Sequence, residues 1–290
     1  RYGTVTGVQT CALPILLMED LKDIKPQQSI ELLKELHILT RDGRMNQDSR
    51  RKLKQVYHLY QLIEPYLQKA LASNSHFSLV DHGAGKSYLG FILYDLFLKD
   101  KGGELFAIEH RPELIQKAKI LADTLKFDRM HFFASDIKNS LEDSSLPNQV
   151  DMVTALHACD TATDDAILFG LKKKAQYIVL IPCCQAEVSK ILRSEKSDQL
   201  KYTLSELWRH PIHTREFGSH LTNVLRCLLL EGMGYKVTVT ELVGWEHSMK
   251  NELILAENIH QPKKVALERL EEILKTCHLE SLRARFLPII

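Results

Sequence analysis

Short apolar runs alternate with amphipathic stretches along the chain from residue 76 onward. The apolar runs have the length and residue types of buried β-strands, and the stretches between them have the three- and four-residue spacing of helices. Seven strands are predicted, at Ser78–Asp81, Leu105–Glu109, His131–Phe133, Met152–Leu156, Tyr177–Ile181, Tyr235–Leu242 and Glu252–Ala256. Strands that alternate with helices are typical of an α/β protein with a parallel sheet.

The last two predicted strands depart from this alternation. Only Val243–Asn251 separates them, which leaves no room for a crossover helix, so they are expected to be antiparallel neighbours. The predicted fold class is therefore α/β: a Rossmann-like, doubly wound seven-stranded sheet, six strands parallel and strand seven antiparallel at the edge.

Helical spacing dominates the regions on either side of the sheet. From Ile24 to Leu71 apolar residues recur at steps of three and four, and Pro65 is expected to break or restart the helix. A further amphipathic helix is predicted at Pro262–Leu282.

These patterns divide the chain into four regions. Val5–Ile15 matches the translation of a common sequencing-adapter oligonucleotide, so residues 1–15 are expected to be an artefact. The predicted order after it is an N-terminal helical region at 16–75, a sheet domain at 76–260 and a C-terminal helix at 261–290.

The composition is that of an ordinary globular protein, with 44% hydrophobic and 26% charged residues and a net charge of +1. No apolar run approaches the ~18 residues of a membrane span and no signal peptide is visible, so a cytoplasmic protein without membrane contact is expected. The six cysteines, two of them adjacent at Cys183 and Cys184, are expected to be reduced thiols. No obligatory protein partner is evident.

A glycine-rich turn follows the first predicted strand, in the segment Phe77–Gly90, FSLVDHGAGKSYLG. A strand, a tight turn and a helix N-terminus in this order are suited to a nucleotide-like ligand. A P-loop requires glycine where Val80 stands, and a dinucleotide fingerprint requires glycine where Tyr88 stands. The remaining spacing, Asp81-x-Gly83-x-Gly85, is the form found in class I S-adenosylmethionine (SAM) methyltransferases.

Acidic residues stand at the ends of three predicted strands. Asp81 ends the first strand, Glu109 ends the second, 24 positions after Gly85, and Asp136 follows the third. Ligands of open parallel sheets bind beyond the carboxyl ends of the strands. Asp81 is therefore expected to accept from the ligand's cation, Glu109 from two ribose hydroxyls and Asp136 from the adenine amine. Gly83 and Gly85 are expected to let the backbone approach this ligand closely.

The residues after strands four and five are the candidates for chemistry. Three alternatives are open. Asp160 or His157 acts as a base for an oxygen or nitrogen nucleophile; or Cys159, Cys183 or Cys184 attacks a pyrimidine ring; or His157 and these cysteines bind zinc, which adjacent cysteines disfavour. Packing is the ordinary alternative for the thiols.

Two further segments contain basic residues and histidines, and both are expected on the face of the sheet domain where the ligand binds. They are the long connection Ser189–Leu221 and the loop after strand six. Substrate contacts are expected from Arg209, Arg215, His247 and Lys250.

Several motifs between Leu39 and Ala256 together resemble a known family. They are a DGR-type turn with a basic helix, the DxGxGK loop, LHACDTATDDA after strand four, PCC after strand five, LWRH and EHSxKN. This set resembles class I SAM-dependent methyltransferases of the methyltransferase-25-like group, which are related to eukaryotic tRNA ribose methyltransferases. The chain departs from the pattern at His82, where a smaller or apolar residue is usual, and at Gln185, where the tRNA enzymes tend to carry histidine.

The resemblance implies SAM as cofactor, held by Asp81, Gly83, Gly85, Glu109 and Asp136. It also implies a reaction centre around His157, Cys159, Asp160 and Cys184. Because residues 41–54 hold six basic residues against two acids, RNA is the predicted substrate and partner, either tRNA or rRNA. The alternatives are a protein or small-molecule methyltransferase and a non-catalytic SAM-binding protein.

Overall fold

The structure is a computed structural model that describes residues 22–156, 158, 160–182, 185–194, 209–242 and 252–287. The chain divides between Lys54 and Gln55 into two compact units. No helix among the described residues is both long and apolar enough to cross a membrane. The predicted artefact at 1–15 lies outside the described residues.

In the first unit, helix α1 (Ile30–Glu35) begins after Ser29, whose side chain accepts from the Leu32 N–H at 3.3 Å. A turn at Thr40–Arg44 follows, closed by the Thr40 N–H donating to the Arg44 carbonyl at 2.9 Å. Helix α2 (Gln47–Ser73) begins in this unit and continues into the second.

Pro65 does not break helix α2, contrary to the sequence-based prediction, because the helix continues from Gln47 to Ser73. The ring removes one backbone hydrogen bond, to the carbonyl of residue 61, and crowds that carbonyl. The neighbours Ile63 and Leu67 are fully buried, so packing on both sides holds the helix together across the proline.

Replacing Pro65, which is exposed, should therefore stabilise the protein. Pro65→Ala restores the missing N–H donor and is expected to raise the free energy of unfolding by about 2 kcal/mol. Urea denaturation measures this, with the exposed Gln61→Ala as a control that should change stability by less than about 0.5 kcal/mol. A loss of stability in Pro65→Ala would contradict the expectation.

Among the described residues of the second unit, seven strands form a single sheet, in the order β3-β2-β1-β4-β5-β7-β6. The strands are β1 (Ser78–His82), β2 (Glu104–Glu109), β3 (Met130–Ala134), β4 (Met152–Ala155), β5 (Tyr177–Leu180), β6 (Tyr235–Glu241) and β7 (Glu252–Asn258). All seven match predicted strands. Strands β1 to β5 pair in parallel, and β7 pairs antiparallel with both β5 and β6.

The antiparallel strand was predicted at the edge of the sheet, and this prediction is wrong. Strand β7 lies between β5 and β6, and β6 forms the edge. The short connection makes β6 and β7 neighbours, but it does not determine which of them pairs with β5. Leu253–Ala256 of β7 is buried throughout, as in an interior strand, whereas β6 is largely exposed.

Helices cover both faces of the sheet. In chain order they are α3 (Tyr88–Leu93, extended by a π-helical turn at Tyr94–Leu98 and by Lys99–Lys101), α4 (Pro112–Leu125), α5 (Ile137–Glu142), α6 (Thr161–Lys172), α7 (Glu187–Ser194), α8 (Pro211–Gly232), α9 (Lys264–Thr276) and α10 (Arg283–Phe286). The single C-terminal helix predicted at Pro262–Leu282 ends at Thr276, because His278 is in the left-handed conformation (φ 53°).

The main core lies on one face of the sheet. Alternate strand residues such as Val80, Val153 and Ile178 pack there against α6 to α10. On the other face Phe91 of α3 contacts Phe127 and Phe132, with ring centroids 6.3 and 6.0 Å apart. This arrangement leaves the carboxyl ends of β1 to β5 as the edge where the candidate residues collect.

Candidate active site

The turn after β1 is held in a tight conformation by its two glycines. Gly83 (φ 67°) and Gly85 (φ 59°) both have positive φ, which glycine adopts without cost. A Cβ added at Gly83 would lie 3.1 Å from the Ala158 Cβ, so the turn passes closely by the segment after β4. The Ala84 N–H donates to the Ile108 carbonyl at 3.0 Å and fixes the turn to β2.

Asp81 is a buried carboxylate at the start of this turn, only 1% exposed. Its Oδ1 accepts from the Thr154 hydroxyl at 3.0 Å, and the backbone N–H of Gly90 also donates to it. Burial raises the pKa of Asp81 to about 7, although these two hydrogen bonds act to lower it. In this structure Asp81 therefore connects β1, β4 and helix α3.

Glu109 ends β2 directly beside the glycine turn. Its Oε2 accepts from the Gly85 N–H at 2.8 Å, and its Oε1 accepts from the Arg111 Nε at 2.7 Å. Burial alone would raise the pKa of Glu109, but the hydrogen bonds from Arg111 and Gly85 outweigh it and lower the pKa. The structure thus places an ionised carboxylate against the backbone of the predicted cofactor loop.

Asp136 lies beyond β3 as the N-cap of helix α5. Its Oδ1 accepts from the Asn139 N–H at 2.9 Å, which is the ordinary capping interaction. Asp136 is exposed, so its other oxygen is accessible to a ligand. The three acids and two glycines of the predicted cofactor site all lie at or just beyond the carboxyl ends of β1, β2 and β3.

Polar atoms without partners surround the glycine turn. Both ring nitrogens of His82, the Ser87 hydroxyl and the Tyr88 hydroxyl are buried and have no hydrogen-bond partner among the described residues. Burial lowers the pKa of His82 to about 4, so the imidazole is neutral at pH 7. Buried polar groups normally have partners, so unsatisfied donors and acceptors here indicate a bound molecule or water.

These features fit SAM. The turn at Gly83 and Gly85 presents backbone without side chains, Glu109 offers a carboxylate for hydroxyl groups, and the unsatisfied polar atoms belong to residues next to the same turn. Asp81, Gly83, Gly85, Glu109 and Asp136 are the residues that would hold the cofactor. When bound, SAM supplies an activated methyl group on its sulfonium.

Much of the predicted reaction centre lies outside the described residues. This applies to His157, Cys159, Cys183 and Cys184, and also to the predicted substrate contacts His247 and Lys250. It therefore also applies to the zinc alternative; among the described residues no cluster of His, Cys, Asp or Glu could hold a metal ion.

Asp160 is described, and it is bound to backbone groups. Its Oδ1 accepts from the N–H groups of Ala186 at 2.9 Å and Glu187 at 3.3 Å, where helix α7 begins. Its own backbone has φ 55° and ψ −121°, a strained conformation for a residue other than glycine. Asp160 thus ties the segment after β4 to the segment after β5.

Arg209 and Arg215 are both exposed, and they flank the start of helix α8. A long connection up to Leu221 was predicted, but α8 already begins at Pro211, so Arg215 is a helical residue. It forms an ion pair with Glu216 at 2.9 Å. Ser219, one helical turn further on the same face, donates to the Gln185 Oε1 at 2.7 Å after β5.

Sequence reasoning missed a buried polar network at this end of the sheet. Arg226 is 1% exposed and forms a two-pronged ion pair with Asp164, at 2.6 and 3.0 Å. Asn223 connects Arg226 to Gln185 and to Glu252, the first residue of β7. The available signal was an arginine and an asparagine on the apolar face of a helix, where an uncompensated polar residue is costly.

The described fold is that of the Rossmann-like methyltransferases, and the glycine turn after β1 fits the cofactor SAM. Residues 51–191 match a family model whose description is methyltransferase domain. The match covers a little under half of the chain, and it supports a methyltransferase domain with SAM as its cofactor.

Two curated relatives were found, both described as glutathione S-transferase C-terminal domain-containing protein, from Homo sapiens and Macaca fascicularis. Each is 24% identical over 233 residues, which is 74% of this chain and 34% of the relative. The chain therefore spans about a third of the length of these relatives.

Solved structures similar to the chain were also found, at low identity. The S-adenosylhomocysteine-bound PaMTH1 of Podospora anserina is 11% identical with a TM-score of 0.45, over 88% of this chain and 99% of that one. TrmK of M. capricolum, bound to the same product, is 12% identical with a TM-score of 0.37, over 73% and 83%.

Proposed function

We propose that this methyltransferase transfers the methyl group of SAM to RNA, either tRNA or rRNA. The observation that carries the proposal is the basic segment 41–54. Five of its six basic side chains are exposed, namely Arg41, Arg44, Arg51, Lys52 and Lys54. The sixth, Arg50, pairs with Asp23.

The surface of this segment is suited to a phosphate backbone. Exposed arginine and lysine side chains release counterions from a nucleic acid when they contact its phosphates, and this supplies affinity without sequence preference. The segment includes the first turns of α2, where Arg51, Lys52 and Lys54 project in different directions around the helix. A wide cationic surface of this kind fits an extended polyanion better than a single small anion.

A charge-removal variant tests the RNA contact. Combining Arg51→Ala, Lys52→Ala and Lys54→Ala should weaken RNA binding and reduce the slope of log K against log salt by about 2, since each lost phosphate contact contributes ~0.7. Filter binding at several salt concentrations measures this. The matched control removes Lys236, Lys264 and Lys275, which are exposed on the second unit, and should leave the slope unchanged.

The acceptor itself is identified with labelled SAM. Protein is incubated with lysate, with and without ribonuclease, and the nucleosides are analysed by mass spectrometry. A methylated nucleoside that depends on the protein and disappears with ribonuclease is the expected result. Label retained in protein or in small molecules after ribonuclease would replace RNA with one of those substrate classes.

A further inference from the structure

Arg226 and Asp160 connect the segments that follow β4 and β5. Arg226 Nη2 donates to the backbone carbonyl of Asp160 at 2.8 Å while the same guanidinium binds Asp164. Asp160 in turn accepts from the N–H groups of Ala186 and Glu187 through its carboxylate. One continuous chain of contacts therefore runs from α8, through the turn after β4, to the start of α7.

A second branch of contacts reaches β7. Arg226 Nη1 donates to the Asn223 Oδ1 at 3.2 Å, and Gln185 Nε2 donates to the same atom at 3.1 Å. Asn223 Nδ2 donates to Glu252 at 2.7 Å. Because β7 is antiparallel to β5, Glu252 lies at the same end of the sheet as Gln185. The ends of three neighbouring strands are thus fixed to one helix.

This network includes a buried charge and a strained backbone conformation, both of which cost free energy. A fully buried arginine must have all its charge compensated, and a non-glycine residue at φ 55° persists only when its surroundings fix it. An apolar core would join α6 and α8 with less desolvation. The strained residue held by the network lies within the LHACDTATDDA segment, and Gln185 follows the PCC segment directly.

We propose that Arg226 and Asp160 are positioning residues for methyl transfer. Arg226 holds the backbone at Asp160, and the Asp160 carboxylate holds the N–H groups of Ala186 and Glu187, so that the described residues after β4 and β5 keep a fixed separation during methyl transfer. In this role Asp160 acts as a hydrogen-bond acceptor for two backbone N–H groups and not as the base. In-line transfer is sensitive to such placement, since a shift of about 1 Å can reduce the rate by about 100-fold.

The test distinguishes a loss of positioning from a loss of folding stability. In the double variant Arg226→Met/Asp164→Leu both charged partners become apolar, so the fold is expected to survive while the Asp160 carbonyl loses its donor. We expect kcat to fall at least tenfold, with KM for RNA and the SAM dissociation constant changed by less than threefold. Arg283→Met, which breaks the exposed pair with Glu271, is the control and should leave kcat unchanged. A double variant with full kcat would overturn the proposal.

Asp160 is tested by a conservative rescue. Asp160→Ala removes the acceptor and is expected to reduce kcat at least tenfold, whereas Asp160→Asn keeps a side-chain oxygen and should recover most of that loss. A base cannot be replaced by an amide, so equal losses in the two variants would overturn the positioning role.

The kinetic measurements rest on the proposed RNA substrate. Hydrogen exchange is a second measurement, and it does not depend on that substrate. The amides of Ala186 and Glu187 should exchange at least tenfold faster in Asp160→Ala and in the double variant than in the wild type. Unchanged exchange would overturn the inference even if RNA is methylated. Faster exchange would support it even if RNA proves to be the wrong acceptor.

Discussion

Glu109→Ala is expected to weaken SAM binding by about 100-fold, because it removes a charged acceptor from the cofactor and from the loop that holds it. The carboxylate is 3% exposed, and its Oε2 accepts from the Gly85 N–H at 2.8 Å. Without it the Gly85 N–H loses its partner. Isothermal titration with SAM measures the change.

Arg111 makes a sharper version of this experiment possible. The Arg111 N–H and Nε both donate to Glu109 Oε1, so that oxygen is already occupied, whereas among the described residues Oε2 accepts from the Gly85 N–H alone. Two ribose hydroxyls can bind the carboxylate only if the Arg111 side chain, which is 49% exposed, moves aside. Arg111→Met is therefore expected to leave SAM affinity unchanged or to raise it slightly.

Two controls complete the comparison. Glu104→Ala removes the exposed acid at the opposite end of β2 and should have no effect on SAM affinity. Glu109→Gln keeps an oxygen for the Gly85 N–H but loses the charge, so an intermediate affinity is expected. If Glu109→Ala binds SAM within threefold of the wild type, Glu109 does not hold the cofactor.

The strands could be predicted from sequence, and so could the acids and glycines at their carboxyl ends, because both depend on local signals. An apolar run that ends on an acid indicates both a strand and what lies at its end, as at Asp81 and Glu109. The continuity of α2 through Pro65 could not be predicted from sequence. It depends on the burial of Ile63 and Leu67, and the local effect of a proline on a helix does not include that packing. The interior place of β7 was visible in part, since ELILA is apolar at nearly every position.

The network around Arg226 was beyond such reasoning for a different physical reason. Arg226 and Asp164 are 62 positions apart in the sequence, and Gln185 and Asn223 are 38 positions apart. A polar residue on an apolar helix face signals only that some partner exists. The same holds for Asp160, whose side chain finds its partners 26 and 27 residues away, after the next strand.

Asp81→Asn is expected to remove most of a pH dependence of stability between about pH 4 and pH 7. Burial raises the folded pKa of Asp81 to about 7, against 3.8 for an unperturbed aspartate. Between these values the folded chain keeps a proton that the unfolded chain releases. The stabilisation is therefore fully present below pH 3.8 and is lost as the pH rises through 7.

The size of the effect follows from the pKa difference. The quantity to follow is the free energy of unfolding of the wild type minus that of Asp81→Asn. This difference should fall by up to about 4 kcal/mol from pH 4 to pH 8. Urea denaturation across this range measures it. Thr154→Val removes the hydroxyl that donates to Asp81 Oδ1, so it should raise the folded pKa and move the upper end of the window to higher pH. A difference that is flat from pH 4 to pH 8 would mean that Asp81 is ionised in the folded protein.

Repeating the measurement with saturating SAM decides between the two roles open to Asp81. A cofactor cation close to the carboxylate favours its ionised form, so SAM binding should lower the pKa of Asp81 and move the upper end of the window to lower pH. SAM would then stabilise the wild type increasingly as the pH rises through the window, and Asp81→Asn would lack that increase. If SAM leaves the window where it is, Asp81 serves only to join β1, Thr154 and the start of α3, and the cofactor's ammonium is held by other residues.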